Sequence, residues 1–159
     1  MKALVRSSGN WWFSKGFFVA LKGKMIRKAK LKDLKIIYSL LQEGVNSEKV
    51  LKRSINEIKK VINSFFVYEE ENKVVGCCSL EIYSQKVAEI RSLVVSSEYR
   101  NRGIGSILVK KCLDEAKSKG IYQVLSITDK SELFERFGFK TEVEEKHAMF
   151  LNFNSKKQL

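Results

Sequence analysis

The sequence predicts a single α/β domain of the α+β kind, with a sheet of six to seven strands flanked by about four helices. Three observations predict it. A strand-like run, Ala88 to Val95, passes through Gly103 and Gly105 into a helix-like run that ends near Lys119. Helix-spaced apolar segments alternate along the chain with short β-branched, aromatic or alternating runs. The chain has 159 residues, 44% of them hydrophobic, which is enough for one core and one domain.

The elements follow in order. Met25 to Ala29 reads as a short strand. Lys32 to Glu43 places Leu34, Ile37, Tyr38, Leu40 and Leu41 at helical spacing, and Val50 to Ile62 repeats the signal through Leu51, Ile55, Ile58, Val61 and Ile62. Phe65 to Tyr68 is an aromatic and β-branched strand, Glu69 to Lys73 a polar turn, and Val74 to Tyr83 a second strand, so the pair predicts a hairpin. Ala88 to Val95 is the central strand and Gly105 to Lys119 the long helix. Tyr122 to Ile127 is a further strand. Glu132 to Phe137 is a short helix that Gly138 stops. Lys140 to Glu144 and Met149 to Phe153 alternate and are expected to close the sheet.

Composition excludes several classes. The formal charge is +12, from 30 Lys and Arg against 18 Asp and Glu, a field that attracts anions. No basic stripe is interleaved with stacking aromatics, so nucleic acid is not the expected partner. No uninterrupted apolar stretch is long enough to span a membrane, so a membrane partner is not expected either. Cys77 and Cys78 are neighbours on a strand and point to opposite faces. With Cys112 they make an odd set, which argues against a disulfide framework and for a reduced, cytoplasmic protein whose cysteines pack. His147 stands without a cysteine or carboxylate pattern, so no metal is expected.

Residues 1–24 form an atypical basic and aromatic extension ahead of a domain at 25–159. They carry Lys2, Arg6, Lys15, Lys22 and Lys24 without an acid, and Trp11, Trp12, Phe13, Phe17 and Phe18. Lys15 and Gly16 interrupt the apolar run a signal peptide would need. The extension reads either as an upstream start ahead of a natural Met25 or as an appended arm that leans on membranes or self-associates.

The junction Glu98-Tyr-Arg-Asn-Arg-Gly-Ile-Gly-Ser106 is the strongest chemical signal. A strand that turns through two glycines into a helix gathers free backbone N–H groups at the positive end of the helix dipole, a site for phosphate. A nucleotide-hydrolase loop would need Gly-Lys-Ser/Thr, but Gly105 is followed by Ser106 and Ile107. A dinucleotide loop would need a third glycine where Leu108 stands. What remains is Arg100-x-x-Gly103-x-Gly105, which taken alone is also the pattern of a surface turn with solvated arginines. In this element order it resembles the pyrophosphate loop of the GNAT acetyltransferases, which hold acetyl-CoA. Phe134-Glu-Arg-Phe-Gly-Phe139 matches a second landmark of that family, and the resemblance covers residues 25 to about 153.

The resemblance implies a GNAT fold with a mixed, mostly antiparallel twisted sheet, and acetyl-CoA as co-substrate. It implies that the loop Arg100, Asn101, Arg102, Gly103, Ile104, Gly105 and Ser106 binds the cofactor phosphates. The central strand at Leu93, Val94 and Val95 would pair with the pantetheine arm. A backbone N–H near Val94 or Val95 would stabilise the oxyanion. Glu89 is the expected general base: it lies among apolar neighbours, where partial burial raises proton affinity, and many GNAT proteins carry a glutamate there. Strand alternation predicts Glu89, Arg91 and Leu93 on one face, and Ala88, Ile90 and Ser92 on the other. Many relatives place a tyrosine acid where this chain has Phe134, which has no proton to give.

Val50 to Ser54, Gly76 to Leu80 and Ala88 to Leu93 resemble strings of the N-acetylglutamate synthase acetyltransferase domain, including its short stand-alone forms. That implies an amine acceptor with a carboxylate, L-glutamate first, in arginine biosynthesis. Arg53 matches the arginine that binds the acceptor carboxylate, a task suited to its planar fork. Arg91 would face the same side as Glu89 and contact the other carboxylate, and Lys130 and Ser131 are further acceptor-site candidates. The short synthases carry a Leu-Pro element and cysteines near the end, whereas Val143 to Phe150 has neither. No amino-acid-kinase-like domain is expected. Two other function classes stay open: a GNAT enzyme for another amine, such as a protein N-terminus or a polyamine, and a non-catalytic CoA- or nucleic-acid-binding module. Many GNAT proteins dimerise, so a homodimer is compatible with the resemblance.

Overall fold

The protein is described by a computed structural model that covers residues 23–46, 52–143 and 146–147. Five strands form one sheet in the order β1 (Lys24–Lys28), β2 (Phe65–Glu70), β3 (Lys73–Ile82), β4 (Val87–Val95) and β5 (Gln123–Leu125). The first four are antiparallel neighbours and β4 pairs with β5 in parallel. Helices α1 (Leu34–Asn46) and α2 (Ile55–Lys60) cover one face. Helix α3 (Ile104–Ser118) and Phe134 of α4 (Ser131–Glu135) cover the other. No described helix is long and apolar enough to cross a membrane.

The central strands are covered on both faces, so they read as nearly continuous apolar runs. Val75 to Leu80 of β3 is buried throughout. Cys78 sits in the core under α3 and Cys77 in the core under α1, as strand alternation predicts. Cys78 Sγ lies 3.7 Å from Cys112 Sγ, and all three cysteines are free and buried. Burial pushes the Cys77 thiol up to about 12, so it is a packing group without thiolate character. Gly76 is required by proximity. A Cβ there would meet Val94 O at 3.2 Å and the Ile104 and Leu108 side chains at 3.3 Å.

Several boundaries differ from the sequence expectation for local reasons. The first helix is preceded by a 3₁₀ turn at Leu31–Asp33. The helix expected over 50–62 is shorter. Ser54 is its N-cap, bonded to the Glu57 N–H at 3.2 Å while Glu57 Oε2 takes the Ser54 N–H at 2.6 Å. This capping box stops the helix short of Arg53. Residues 47–51 lie outside the described residues. The β2–β3 turn narrows to Glu71 and Asn72, both with positive φ, as a two-residue hairpin requires. The C-terminal expectation changes most. Strands β6 (Glu142–Val143) and β7 (Lys146–His147) pair with each other as a separate ribbon and do not extend the five-stranded sheet. The strand expected over 149–153 lies outside the described residues, as do residues 1–22 of the predicted extension.

Strand β4 holds the main correction. Ser92 has φ +56, and the β3–β4 register shifts between Cys77 and Ser79. The extra residue is a bulge that resets the alternation. Leu93 and Val95 therefore pack with Ile90 on the α3 side, and Val94 packs on the α1 side. The expectation that Leu93 shares a face with Glu89 and Arg91 fails here, because strict alternation holds only in an unbulged strand.

Arg27 ties β1 to the turn before α1. It grips both Asp33 carboxylate oxygens, at 2.7 and 3.0 Å, and reaches Glu69 at 2.8 Å. The Arg27 hydrogen bond, helped by the Lys30 N–H, holds the Asp33 carboxyl below its usual range despite burial. A depressed folded pKa means the stabilisation is full above the unfolded value of about 3.9 and is lost as pH falls through the folded value. Asp33→Asn is expected to lower unfolding free energy by about 1–3 kcal/mol at neutral pH and to flatten the acid limb of stability, read by urea denaturation across a pH series. Ser92→Val is expected to cost about 1–2 kcal/mol by the same measurement, and Ser92→Gly much less, because a β-branched side chain fits a positive φ poorly.

Candidate active site

The short pairing of β4 with β5 creates an opening in the sheet. The parallel ladder runs only from Val87↔Gln123 to Glu89↔Leu125. Beyond it, Ser126 Oγ donates to Ile90 O at 2.9 Å, and no described strand pairs with that edge of Leu93 to Val95. On the other edge the Ser96 N–H donates to Val75 O at 2.9 Å. In an antiparallel ladder alternate residues face alternate edges, so the Val94 N–H faces β3 and the Val95 N–H faces the opening.

The opening leads to the start of α3. Asn101 and Gly103 take positive φ, 62° and 78°, and Gly103 is the N-cap. The helical ladder begins with the Ile107 N–H to Gly103 O, at 3.1 Å. The N–H groups of Gly103 to Ser106 come before that bond and lack intrahelical acceptors. Ile104 is buried in the core and anchors the first turn, and Leu133 of α4 lies 3.7 Å from the Cβ position of Gly105. Fixed N–H donors and the dipole of a 15-residue helix make this a cradle for an anion.

The arginines of the loop are engaged within the protein. Arg100 Nε donates to Val95 O at 3.0 Å and its Nη2 reaches Glu43 Oε1 at 3.1 Å. The same Glu43 oxygen accepts the Ser97 N–H at 2.8 Å. Arg100 thus braces the loop against β4 and α1. Arg102 is more exposed. It donates to Glu98 O at 2.9 Å and lies over the Tyr99 ring.

Upstream, the β3–β4 hairpin brings four charged groups together. Its register sets Glu81 opposite Glu89 and Ser79 opposite Arg91. Arg91 Nη1 lies 3.7 Å from both Glu81 Oε2 and Glu89 Oε2. Arg53, just before α2, places Nη1 at 2.6 Å from Glu81 Oε1 and 3.2 Å from Ser92 Oγ. The bulge is what turns Ser92 to this face. Glu89 also accepts a hydrogen bond from the Tyr83 hydroxyl. Burial opposes the charge on Arg91, but the Glu89 and Glu81 carboxylates outweigh it and hold its pKa above the ordinary value. The Tyr83 hydroxyl is pushed up by burial first, and then by its bond to the Glu89 carboxylate.

The structure therefore gathers Glu89 and Arg91 of β4 with Arg53, which is far from them in sequence. It does not bring Lys130 and Ser131 to them. Those two share a cleft of about 310 Å³ with Asp129, Glu132, Leu133 and Arg136. A larger cleft of about 540 Å³ lies behind the loop, between α1 and the β2–β3 turn, and neither Glu89 nor Arg53 lines it. Phe134 is buried edge-to-face against Phe139 and is a core residue. Sequence reasoning missed Glu81, Tyr83 and Ser92. The hairpin signal could have found the first two, since pairing Tyr83 with Val87 sets Glu81 opposite Glu89.

The acetyltransferase (GNAT) family profile matches residues 31–139. An N-acetyltransferase of Chlorobaculum tepidum is 41% identical over 77% of this chain and 78% of its own length. The amino-acid acetyltransferase of Photorhabdus laumondii is 28% identical over 74% of this chain, which spans only 27% of that protein. A solved Mycobacterium tuberculosis protein in complex with CoA superposes with a TM-score of 0.69 at 27% identity, covering 79% of this chain and 76% of that one. The N-acetylglutamate synthase of Neisseria gonorrhoeae, complexed with coenzyme A and N-acetyl-glutamate, gives a TM-score of 0.71 at 25% identity, covering 84% of this chain and 30% of that one. A match of this extent, on a fold that leaves a strand edge and a helix N-terminus open to one another, makes the chain a member of the acetyltransferase (GNAT) family.

Proposed function

We propose that the protein transfers the acetyl group of acetyl-CoA to the α-amino group of a free amino acid, with L-glutamate the first acceptor to test. The observation that carries this is the convergence of Glu89, Arg91 and Arg53 beside the open edge of β4. A carboxylate base and a guanidinium fork side by side suit a molecule that carries an amine and a carboxylate. The similarity to the amino-acid acetyltransferases supports the same choice. With glutamate as acceptor the reaction would serve arginine biosynthesis, in the cytoplasm.

The roles divide as follows. The N–H groups of Gly103, Ile104, Gly105 and Ser106 hold the CoA pyrophosphate, flanked by Asn101 and Arg102, while Arg100 keeps the loop in shape. The open edge at Leu93 to Val95 takes the pantetheine arm as an added strand. The acceptor nitrogen attacks the thioester carbonyl carbon and forms the C–N bond, and the C–S bond breaks as the tetrahedral centre collapses. Glu89 takes the amine proton, directly or through a water, and the Val95 N–H donates to the carbonyl oxygen as it gains charge. The CoA thiolate leaves without Phe134, helped by an ordinary thiol pKa of about 8.5. Arg53 binds the acceptor carboxylate and Arg91 lies between it and the base.

Thiol release from acetyl-CoA is expected with free amino acids, glutamate among them. Release only with polyamines or peptides would overturn the acceptor class. Glu89→Gln is expected to lower kcat about 100-fold or more while leaving CoA affinity intact. Unchanged turnover across a pH series would remove Glu89 as the base. Glu43→Gln weakens the brace on Arg100 and Ser97, so KM for acetyl-CoA is expected to rise about tenfold with kcat largely kept.

A further inference from the structure

We infer that Glu81 sets the charge preference of the acceptor site, leaving room for one acceptor carboxylate and disfavouring a second. The inference rests on the free-amino-acid reading above and departs from L-glutamate as its leading acceptor. Arg53 and Glu81 keep only 12% and 13% of their side-chain surface exposed, and 2.6 Å separates their charged atoms. At that distance and burial Glu81 is a fixed part of the site. Arg53 uses Nη1 for both Glu81 and Ser92. Its Nη2 and Nε have no partner among the described residues, so one side of the fork remains for one carboxylate.

The second arginine is already shared. Arg91 lies 3.7 Å from Glu81 and 3.7 Å from Glu89, beyond hydrogen-bond distance of either, so its charge is divided between two carboxylates. The charges of Arg53, Arg91, Glu81 and Glu89 cancel formally. An amino acid with an uncharged side chain brings one carboxylate to this neutral set. A dicarboxylate brings two, the second beside Glu81 with no unshared arginine to meet it. Like charges held close at partial burial oppose binding, and a repulsive element of this kind is a common source of specificity. Glu81 on this view does not touch the reacting atoms and acts through Arg53 and Arg91.

The test compares kcat/KM for L-glutamate and L-glutamine, which differ in charge and little in shape, in the wild type, Glu81→Gln and Glu81→Asp. In the wild type glutamine is expected to be used at least as well as glutamate. Glu81→Gln frees positive charge, and its glutamate-to-glutamine ratio is expected to rise about tenfold or more, mostly through KM for glutamate. Glu81→Asp keeps the charge and should keep the wild-type ratio. A ratio that stays within twofold in Glu81→Gln would overturn the inference. So would a wild-type preference for glutamate of tenfold or more, which needs no variant to fold. A wild type that releases thiol with peptides or polyamines and with no amino acid would remove the acceptor reading itself, an outcome distinct from an unchanged ratio.

Discussion

The bulge at Ser92 shapes the rest of the site. One residue with positive φ in the middle of β4 resets which side chains face which helix layer. Before it, Glu89 and Arg91 face the side of α1 and α2, and Ile90 faces α3. After it, Leu93 and Val95 turn to α3 and Ser92 turns to Arg53. The polar hydroxyl that would otherwise enter the α3 core instead receives a guanidinium. The bulge also lies just past the point where the ladder with β5 ends. A bulge increases local twist, and a more twisted β4 is consistent with strands that separate there. The open edge and the ion-pair network therefore lie on the same few residues of one strand.

The two ends of the site are held by different physics. At the loop the positive element is backbone: unpaired N–H groups and the axis of α3, fixed by the burial of Ile104 in the core. Such donors need no reorganisation to meet an anion. The loop arginines serve mainly to hold its shape, since Arg100 is bound to Val95 O and Glu43. At the hairpin the elements are side chains, and every charge is matched by a neighbour. That end of the site is balanced, so changing one residue alters both its charge and its structure. The +12 charge of the chain acts at longer range and favours the approach of an anionic co-substrate without marking a place for it.

Much of this was legible in the sequence. The strand–glycine–helix junction, the element order and the opposite facing of Cys77 and Cys78 follow from short-range rules of dihedral preference and periodicity. Glu89 and Arg91 were legible because they sit two apart on one strand. Glu81 and Tyr83 were not identified, because their importance comes from the hairpin register that sets β3 against β4. Lys130 and Ser131 were drawn in by resemblance, but the structure seats them in a separate cleft at the start of α4. Arg53 was expected on a helix, but the Ser54–Glu57 capping box leaves it ahead of α2, where its side chain reaches across to Glu81 and Ser92.

By itself the sequence determined the fold class and the anion cradle, because glycine freedom, helix dipoles and apolar periodicity act over a few residues. Only the tertiary structure decided the facing of Ser92 and Leu93, the partners of Arg53 and the end of the β4–β5 ladder. Each of these depends on pairing between residues distant along the chain. A one-residue shift of register reverses the face of every side chain beyond it, and single-strand alternation carries no record of such a shift.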